Sequence, residues 1–354
     1  MANASNSVAG ITASLNKSYG AHIARSGNDV FDFTRVPTGL FALDLAVGGG
    51  FPEGKMSIVY GPESSGKTTV ALLAIKNYQK RYPDRKCVFM DLEHAYDPKW
   101  AKVLGVDTDA LVLVKPTYAE QAVDVFQGLM HADDLGLLVM DSIAMLVPQK
   151  EIANSTEKAD VGGNALLVTR MMRRLVTAHI QADQEGRHPT VLLINQVRTE
   201  IGKMFGDPEK MPGGSAIKFM SSLTVRLYGK NVIDKSYSDE LPARKEIRGR
   251  VVKYKVPVTA TNFLMQMAVV PHLGFEPGQS DDWPTVKTYL QNLDMLGKTE
   301  DGKKWQMCGA EYAKLKDCEV DFRTNEDLAQ AVRDALTKRR LQDLEYIDNT
   351  PVAE

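Results

Sequence analysis

The sequence predicts an α/β fold with a mostly parallel, twisted central sheet flanked by helices. Five short apolar runs are continuous rather than alternating, which is typical of strands buried on both faces of a parallel sheet. Amphipathic segments separate these runs, so the pattern indicates a βαβ series with right-handed crossovers. Three later apolar runs follow one another without a long helix between them, which indicates an antiparallel extension of the sheet.

The individual elements follow from these patterns. The predicted parallel strands are residues 57–60, 87–91, 111–114, 137–141 and 190–195. The predicted helices between them are residues 68–81, 119–132 and 166–182. The predicted antiparallel strands are residues 223–227, 250–256 and 264–269.

Size and composition exclude several classes of protein. A chain of 354 residues can bury one large core and a smaller appendage. Its three cysteines argue against a disulfide framework, and no apolar stretch has the length of a secretory signal or a membrane span. A cytoplasmic protein is expected. The net charge of −2 gives no overall attraction to nucleic acid, so any such affinity must come from local basic groups.

Four regions are expected along the chain. Residues 1–35 form an N-terminal arm, in which Val8, Ile11, Leu15 and Tyr19 fall on one helical face; the arm either docks on a partner or is a mobile terminus. Residues 36–270 form the core. A stretch rich in Gly, Pro and Asp then leads into a small α/β domain at 271–340, with helices at 284–296 and 325–340. Residues 341–354, with four acids and no bases, are predicted to be disordered.

One motif carries specific chemistry. Residues 61–68, GPESSGKT, fit the pattern G-x-x-x-x-G-K-[ST] between a predicted strand and a predicted helix. In this P-loop the backbone N–H groups and the helix N-terminus bind phosphates, Lys67 reaches the β- and γ-phosphates, and Thr68 ligates Mg²⁺. ATP and Mg²⁺ are therefore predicted ligands. The predicted contacts are Gly61, Pro62, Glu63, Ser64, Ser65, Gly66, Lys67, Thr68 and Thr69.

Two acids lie at or just beyond the ends of other apolar strands. Asp141 ends its strand, where a carboxylate can hold Mg²⁺ through water, although an Asp that caps the next turn is the alternative. Glu93 lies just beyond the carboxyl end of another strand, the region where ligands bind such sheets. It is a candidate for orienting the attacking water, but position alone equally allows a solvated loop residue.

Longer strings resemble the bacterial and phage RecA family of recombinases. The resemblance covers about two thirds of the chain, from about residue 15 to 257. The matching strings are residues 58–69 (IVYGPESSGKTT), 91–98 (DLEHAYDP), 141–142, 195–198 (NQVR), 204–208 (MFGDP) and 213–219 (GGSAIKF). The resemblance implies a RecA-type ATPase core for this fold.

The resemblance also implies roles for residues at the nucleotide. Glu93 corresponds to the family residue that activates the hydrolytic water. Gln196 corresponds to the glutamine that contacts the γ-phosphate and transmits nucleotide state to the DNA-binding loop after it. Asp97 and Trp100 correspond to residues at the adenine; most relatives have Tyr at the latter position, and Trp keeps an aromatic face for stacking.

Lys253 and Lys255 match family lysines that reach across a filament interface to the neighbouring subunit's ATP. Without the resemblance, the alternation of residues 250–255 would place them on the solvent face of a strand. A charge supplied across an interface acts much like an arginine finger.

Two loops are expected to contact DNA, at about residues 154–166 and 198–215. Their glycines allow the backbone to approach phosphates closely, and apolar side chains can wedge between bases. The predicted DNA contacts are Gly162, Gly163, Arg173, Arg198, Ile201, Met204, Gly213, Gly214 and Ser215. Leu166 lies near the place of a family arginine, so the first loop has no counterpart of that residue. A disordered surface loop is the alternative for the second loop.

The implied function is homologous recombination that depends on ATP and single-stranded DNA. The protein would polymerise on single-stranded DNA as a helical homo-oligomer and exchange strands with a homologous duplex, as a DNA-dependent ATPase. Single-strand-binding protein and loading mediators are possible further partners; a membrane is not. The alternatives are a hexameric helicase or translocase of the same core fold and a non-catalytic mediator. The C-terminal lysines, Lys287, Lys298, Lys303 and Lys304, either gather duplex DNA or form a solvated face.

Overall fold

The computed structural model describes residues 7–19, 34–153, 161–199, 209–210, 221–272 and 274–349. In these ranges the helices are α1 (Val8–Tyr19), α2 (Phe41–Ala46), α3 (Lys67–Arg81), α4 (Pro98–Val103), α5 (Ala119–Leu129), α6 (Gln149–Ala153), α7 (Val161–Gln184), α8 (Trp283–Asn292), α9 (Leu315–Thr324) and α10 (Glu326–Asn349). The strands are β1 (Arg35–Val36), β2 (Phe51–Pro52), β3 (Met56–Gly61), β4 (Lys86–Asp91), β5 (Leu111–Val114), β6 (Leu135–Asp141), β7 (Thr190–Gln196), β8 (Arg198–Thr199), β9 (Glu209–Lys210), β10 (Leu223–Ile233), β11 (Pro242–Tyr254), β12 (Asn262–Ala268), β13 (Ser280–Asp281), β14 (Leu296–Lys298), β15 (Trp305–Met307) and β16 (Ala310–Tyr312).

A central sheet organises the described residues. Its strand order is β13-β12-β11-β10-β3-β7-β6-β4-β5. The strands from β10 to β5 are parallel to one another, and β11, β12 and β13 add to the β10 edge in antiparallel pairs. The predicted fold class, a parallel βαβ series with an antiparallel extension, is confirmed.

Each face of the sheet has its own apolar core. On one face, Val59, Phe89 and Val139 pack with the apolar residues of α3. On the other face, Ile58 and Leu138 pack with residues of α5 and α7. Successive strand residues thus point to opposite cores, which explains why the parallel strands are continuously apolar. All seven residues of β6 are buried. This packing fixes the carboxyl ends of the parallel strands at one edge of the sheet.

The antiparallel hairpin is longer than its predicted strands. The sequence predicted residues 223–227 and 250–256, whereas β10 and β11 cover Leu223–Ile233 and Pro242–Tyr254 and pair along their length. Residues 228–249 are rich in charged side chains, and many of them are partly or fully exposed, so the extension lacks a continuous apolar signal. The hairpin reaches past the end of β3 to the loop that follows it.

The C-terminal region is built on an apolar cluster of its own around α8, α9 and α10, beside the small sheet β14-β15-β16. The predicted boundary stretch contributes β13, whose Ser280 and Asp281 pair with β12 of the central sheet. The predicted disorder of residues 341–354 is wrong for its first part, because α10 continues to Asn349. Good helix formers and the lack of Pro or Gly before Pro351 explain the extension. The sequence did not predict α9 or the small sheet.

The N-terminal helix α1 is formed as the periodicity predicted. It has no buried residue in the described structure, and its apolar face is exposed, from 38% for Leu15 to 83% for Val8. The division of the chain into an arm, a core and a small domain stays a prediction. No helix in the described ranges is both long and apolar enough to span a membrane.

Candidate functional site

The P-loop connects the end of β3 to the first turn of α3. Its glycines stand where a side chain has no room: a Cβ at Gly61 would lie 2.1 Å from the carbonyl oxygen of Leu227. Gly66 has a φ of 91°, a left-handed conformation that favours glycine. The Lys67 Nζ donates a hydrogen bond to the carbonyl of Pro62 at 2.6 Å, which curls the loop around its own lysine. The backbone has the shape that phosphate binding requires.

Two buried polar groups in the loop fit an anionic ligand. Burial lowers the pKa of Lys67, whose residue is only 7% exposed. Within the described part of the chain, the Ser65 hydroxyl is buried and has no hydrogen-bond partner. A buried cation and an unsatisfied hydroxyl at a helix N-terminus are both stabilised by phosphate oxygens.

Asp141 lies opposite the loop, at the end of β6. Its Oδ2 accepts a hydrogen bond from the Thr68 Oγ1 at 2.6 Å. Burial raises the pKa of the Asp141 carboxyl to about 6, and the nearby Glu93 adds to the effect. A hydroxyl and a carboxylate of this kind, beside a phosphate site, fit Mg²⁺, which is usually held by one or two protein oxygens together with phosphates and water. Thr68 and Asp141 are thus together as the metal prediction requires.

Glu93 and Gln196 meet across the same edge of the sheet. The Gln196 Nε2 donates to the Glu93 Oε1 at 2.6 Å. The backbone N–H groups of Leu92 and Glu93 donate to the Asp141 carbonyl at 2.6 and 3.3 Å, and the Asp91 carboxylate accepts from the N–H groups of Ala95 and Tyr96. Glu93 is therefore held by its neighbours rather than free in a loop, so the alternative of a solvated side chain does not describe it.

These side chains line one cleft of about 190 Å³. Its lining consists of Glu63, Ser64, Ser65, Gly66, Lys67, Thr68, Thr69, Glu93, Asp141, Gln196 and Lys245. Lys245 is the member that the sequence did not predict; its Nζ donates to the Ser64 carbonyl at 2.7 Å. The available signal was the alternation of Ala243, Ile247 and Val251 with polar residues, which places residue 245 on the inward face of β11.

Comparison with known proteins identifies the family. The family model described as the RecA N-terminal domain matches residues 7–269, most of the chain. The chain belongs to the RecA family.

Three similar proteins, each named Protein RecA, come from different bacteria. The chain is 40% identical to the one from Saccharopolyspora erythraea over 247 residues, which are 69% of this chain and 68% of the relative. It is 40% identical to that of Acholeplasma laidlawii over 222 residues, 62% and 64% of the two chains. For Aquifex pyrophilus the values are 39% over 238 residues, 67% and 66%. About a third of each relative lies outside the aligned region. The predicted family is confirmed, and nothing in these comparisons favours a helicase.

Asp97 and Trp100 lie at the start of α4, and Trp100 contacts the first turn of α3. The Asp97 Oδ1 accepts from the Lys99 N–H at 2.8 Å and so caps α4. The Trp100 Nε1 donates to the Thr69 Oγ1 at 3.3 Å, and its ring packs partly buried against the core. The second bond places Trp100 next to the P-loop, and the contact of both residues with adenine stays a prediction.

The two lysines predicted to act across a filament interface lie outside the cleft. Lys253 is eight residues from Lys245 along β11, roughly 26 Å of extended strand. Its Nζ donates to the Ser221 carbonyl at 2.8 Å, while Lys255 lies past the end of the strand and is exposed. Neither lysine can therefore reach the P-loop of its own chain.

The predicted DNA contacts are only partly within the described residues. Ile201, Met204, Gly213, Gly214 and Ser215 lie outside them.

Within the described residues, Gly162 and Gly163 belong to the first turn of α7 rather than to a loop, because the helical pattern of residues 166–182 extends further toward the N-terminus. Arg198 belongs to β8, which pairs with β9 through Arg198 and Lys210. The ends of the predicted second loop therefore form a short antiparallel ladder. Arg173 is exposed on α7.

Proposed function

We propose that this chain is an ATP- and single-stranded-DNA-dependent recombinase that polymerises on single-stranded DNA and exchanges strands with a homologous duplex. ATP hydrolysis would drive turnover of the filament. The observation that carries the proposal is the hydrogen bond between Gln196 and Glu93 in the P-loop cleft, two residues before the segment predicted to bind DNA. Membership in the RecA family supports the same function.

In this proposal, each residue of the cleft has a task in the hydrolysis of ATP. Lys67 binds the β- and γ-phosphate oxygens, which relieves the cost of burying its charge. Thr68 and Asp141 hold Mg²⁺, which neutralises charge on the phosphates when bound. The Glu93 carboxylate accepts a hydrogen bond from the attacking water and orients it toward the γ-phosphate.

Gln196 couples the nucleotide to the DNA. Its amide donates a hydrogen bond to Glu93 and would exchange this partner for a γ-phosphate oxygen when ATP is bound. The backbone N–H of Val197 donates to the Gly61 carbonyl at 3.3 Å, so the end of β7 is tied to the P-loop. A shift of Gln196 would therefore displace β8, where the predicted DNA-binding segment begins.

Lys253 and Lys255 would complete the site of the adjacent subunit. Their distance from the P-loop of their own chain is what an interfacial role requires. The exposed apolar face of α1 would supply a further contact between copies. ATP held between subunits would stabilise the filament, and its hydrolysis would weaken the interface.

The decisive experiment is strand exchange with ATP and homologous DNA, with the ATPase rate measured with and without single-stranded DNA. We expect products and stimulated turnover from the wild type and neither from Lys67→Ala. An ATPase that is indifferent to single-stranded DNA, in a protein that stays monomeric at high concentration, would contradict the proposal.

Complementation tests the interfacial lysine. Lys255→Ala leaves the Lys253–Ser221 bond intact and should lower DNA-stimulated turnover without loss of nucleotide binding. A mixture of Lys255→Ala with Lys67→Ala should turn over more ATP than the two separately, because the second chain supplies Lys255 to the intact cleft of the first. Equal rates for the mixture and the sum would exclude the interfacial role.

A further inference from the structure

Lys245 breaks the pattern of its strand. Alternate residues of β11 face the core, and Ala243, Ile247 and Val251 on that face are at most 3% exposed. Lys245 occupies the same face but is half-buried, and burial lowers its pKa. A lysine on an apolar strand face destabilises the fold unless its ammonium group reaches a polar partner.

The polar partner of Lys245 is in the P-loop. The Lys245 Nζ donates to the carbonyl oxygen of Ser64 at 2.7 Å. The hairpin is packed closely against the loop at this point: a Cβ at Gly229 would lie 2.7 Å from the Ser65 Cα, and a Cβ at Gly66 would lie 2.9 Å from the Ile247 Cδ1. This close packing fixes the position of the Lys245 backbone relative to the P-loop. The side chain lines the cleft together with Glu93 and Gln196.

The charges of the cleft favour a polyanion near Lys245. Among the residues that the structure describes, no carboxylate forms a salt bridge with this lysine, and its charge acts against that of Lys67. Two ammonium groups that share a partly dry cleft repel each other, and a triphosphate relieves both the repulsion and the burial. Exchange of the neutral Ser64 carbonyl for a charged phosphate oxygen would also strengthen the hydrogen bond of Lys245.

We propose that Lys245 is a second lysine of the same chain that binds the terminal phosphate of ATP and so distinguishes ATP from ADP. The inference rests on the proposed function, since it requires ATP in the P-loop cleft. The terminal phosphate is the target because Lys245 lines the same cleft as Glu93 and Gln196, the side chains proposed to contact the attacking water and the γ-phosphate. ADP lacks this phosphate and would leave Lys245 on Ser64.

The test compares the affinities of a slowly hydrolysed ATP analogue and of ADP, measured by calorimetry on the full chain with Mg²⁺. Lys245→Met keeps the length of the side chain and removes its charge. We expect it to weaken the triphosphate about tenfold, the range of one charged hydrogen bond, and ADP by less than about twofold. Lys245→Arg should recover most of the lost preference for the triphosphate. The control is Lys230→Met, an exposed lysine of the same hairpin whose side chain does not line the cleft; its affinities should equal those of the wild type.

The outcomes separate the two proposals. An equal loss of affinity for both nucleotides would mean that Lys245 only stabilises the P-loop through its bond to Ser64. Unchanged affinities would mean that Lys245 neither binds the phosphate nor stabilises the loop. Either result overturns the inference, while the cleft remains a nucleotide site. If Lys245→Met loses its fold, Lys245→Gln, which also removes the charge, is compared with Lys230→Met: a lower preference for the triphosphate supports the inference, and identical ratios overturn it. A wild type that binds neither nucleotide would overturn the proposed function itself.

Discussion

Two regions of the molecule bury acidic side chains in opposite ways. At the junction with the C-terminal region, Asp281 forms a salt bridge with Arg323 at 2.5 Å and lies 3.9 Å from Arg244. In the P-loop cleft, the Asp141 carboxylate has the neutral Thr68 hydroxyl as its hydrogen-bond partner, and its pKa is raised to about 6. The junction pairs its charges within the chain, which favours a fixed structure. In the cleft the charge of Lys67 only partly offsets the burial of Asp141, so a ligand can compensate both groups further, as at many functional sites.

The largest effect should come from the cation of the cleft. Lys67→Ala removes the group that binds the phosphates and should lower DNA-stimulated ATP turnover by about 10³-fold, comparable with the loss of a main electrostatic contact in other enzymes. Stability should change little, because the buried charge is itself unfavourable without a ligand. Turnover and urea unfolding measured together check both statements. Substantial residual turnover would contradict the assignment of the P-loop.

Glu93→Gln should separate binding from hydrolysis. The amide keeps the shape of the side chain but cannot polarise water, so turnover should fall about 10²- to 10³-fold while the ATP affinity stays close to that of the wild type. Complexes with single-stranded DNA should then persist after a chase with competitor DNA. Rapid dissociation on the wild-type time scale would count against the proposed role of Glu93.

Asp281→Ala tests the other side of the comparison. It removes the acid that Arg323 and Arg244 share, while Arg323 keeps Glu319 at 2.7 Å and Arg244 keeps Asp234 at 3.6 Å. The free energy of unfolding should fall by about 3 kcal/mol, at the lower end for a buried pair, because Arg323 is partly exposed and each arginine keeps a second acid. Nucleotide affinity should be unchanged. Glu311→Ala is the control: its bond to Lys304 is exposed to solvent and should contribute little to stability. Equal effects of the two variants would remove the distinction between a structural cluster and an ordinary surface pair.

The sequence predicted the cleft better than the hairpin beside it, and the reason is physical. Continuous apolar strands ending in Gly61 and Asp141 give a strong signal because the parallel sheet buries both faces. The extension of β10 and β11 packs one face only, so its few apolar residues alternate with charged ones and give a weaker signal than a continuous apolar run, and Lys245 was missed. Lys253 and Lys255 are a different case. Their predicted role needs a second copy of the chain, which neither periodicity nor a single fold can supply.

The smallest expected effect concerns the pH dependence of the cleft. Because the folded-state pKa of Asp141, about 6, exceeds its ordinary value of 3.8, the folded chain takes up a proton more readily than the unfolded chain between these values. The free energy of unfolding without nucleotide should therefore fall as pH rises from about 3.8 to about 6 and level off above that range. Asp141→Asn removes the buried charge and should stabilise the free protein by about 1–2 kcal/mol at pH 7 and by much less at about pH 4. The difference between the free energies of unfolding of wild type and variant, measured at each pH, separates the contribution of Asp141 from those of other titrating groups. A difference that does not depend on pH would show that the Asp141 charge is already compensated within the chain, and the contrast with Asp281 would then disappear.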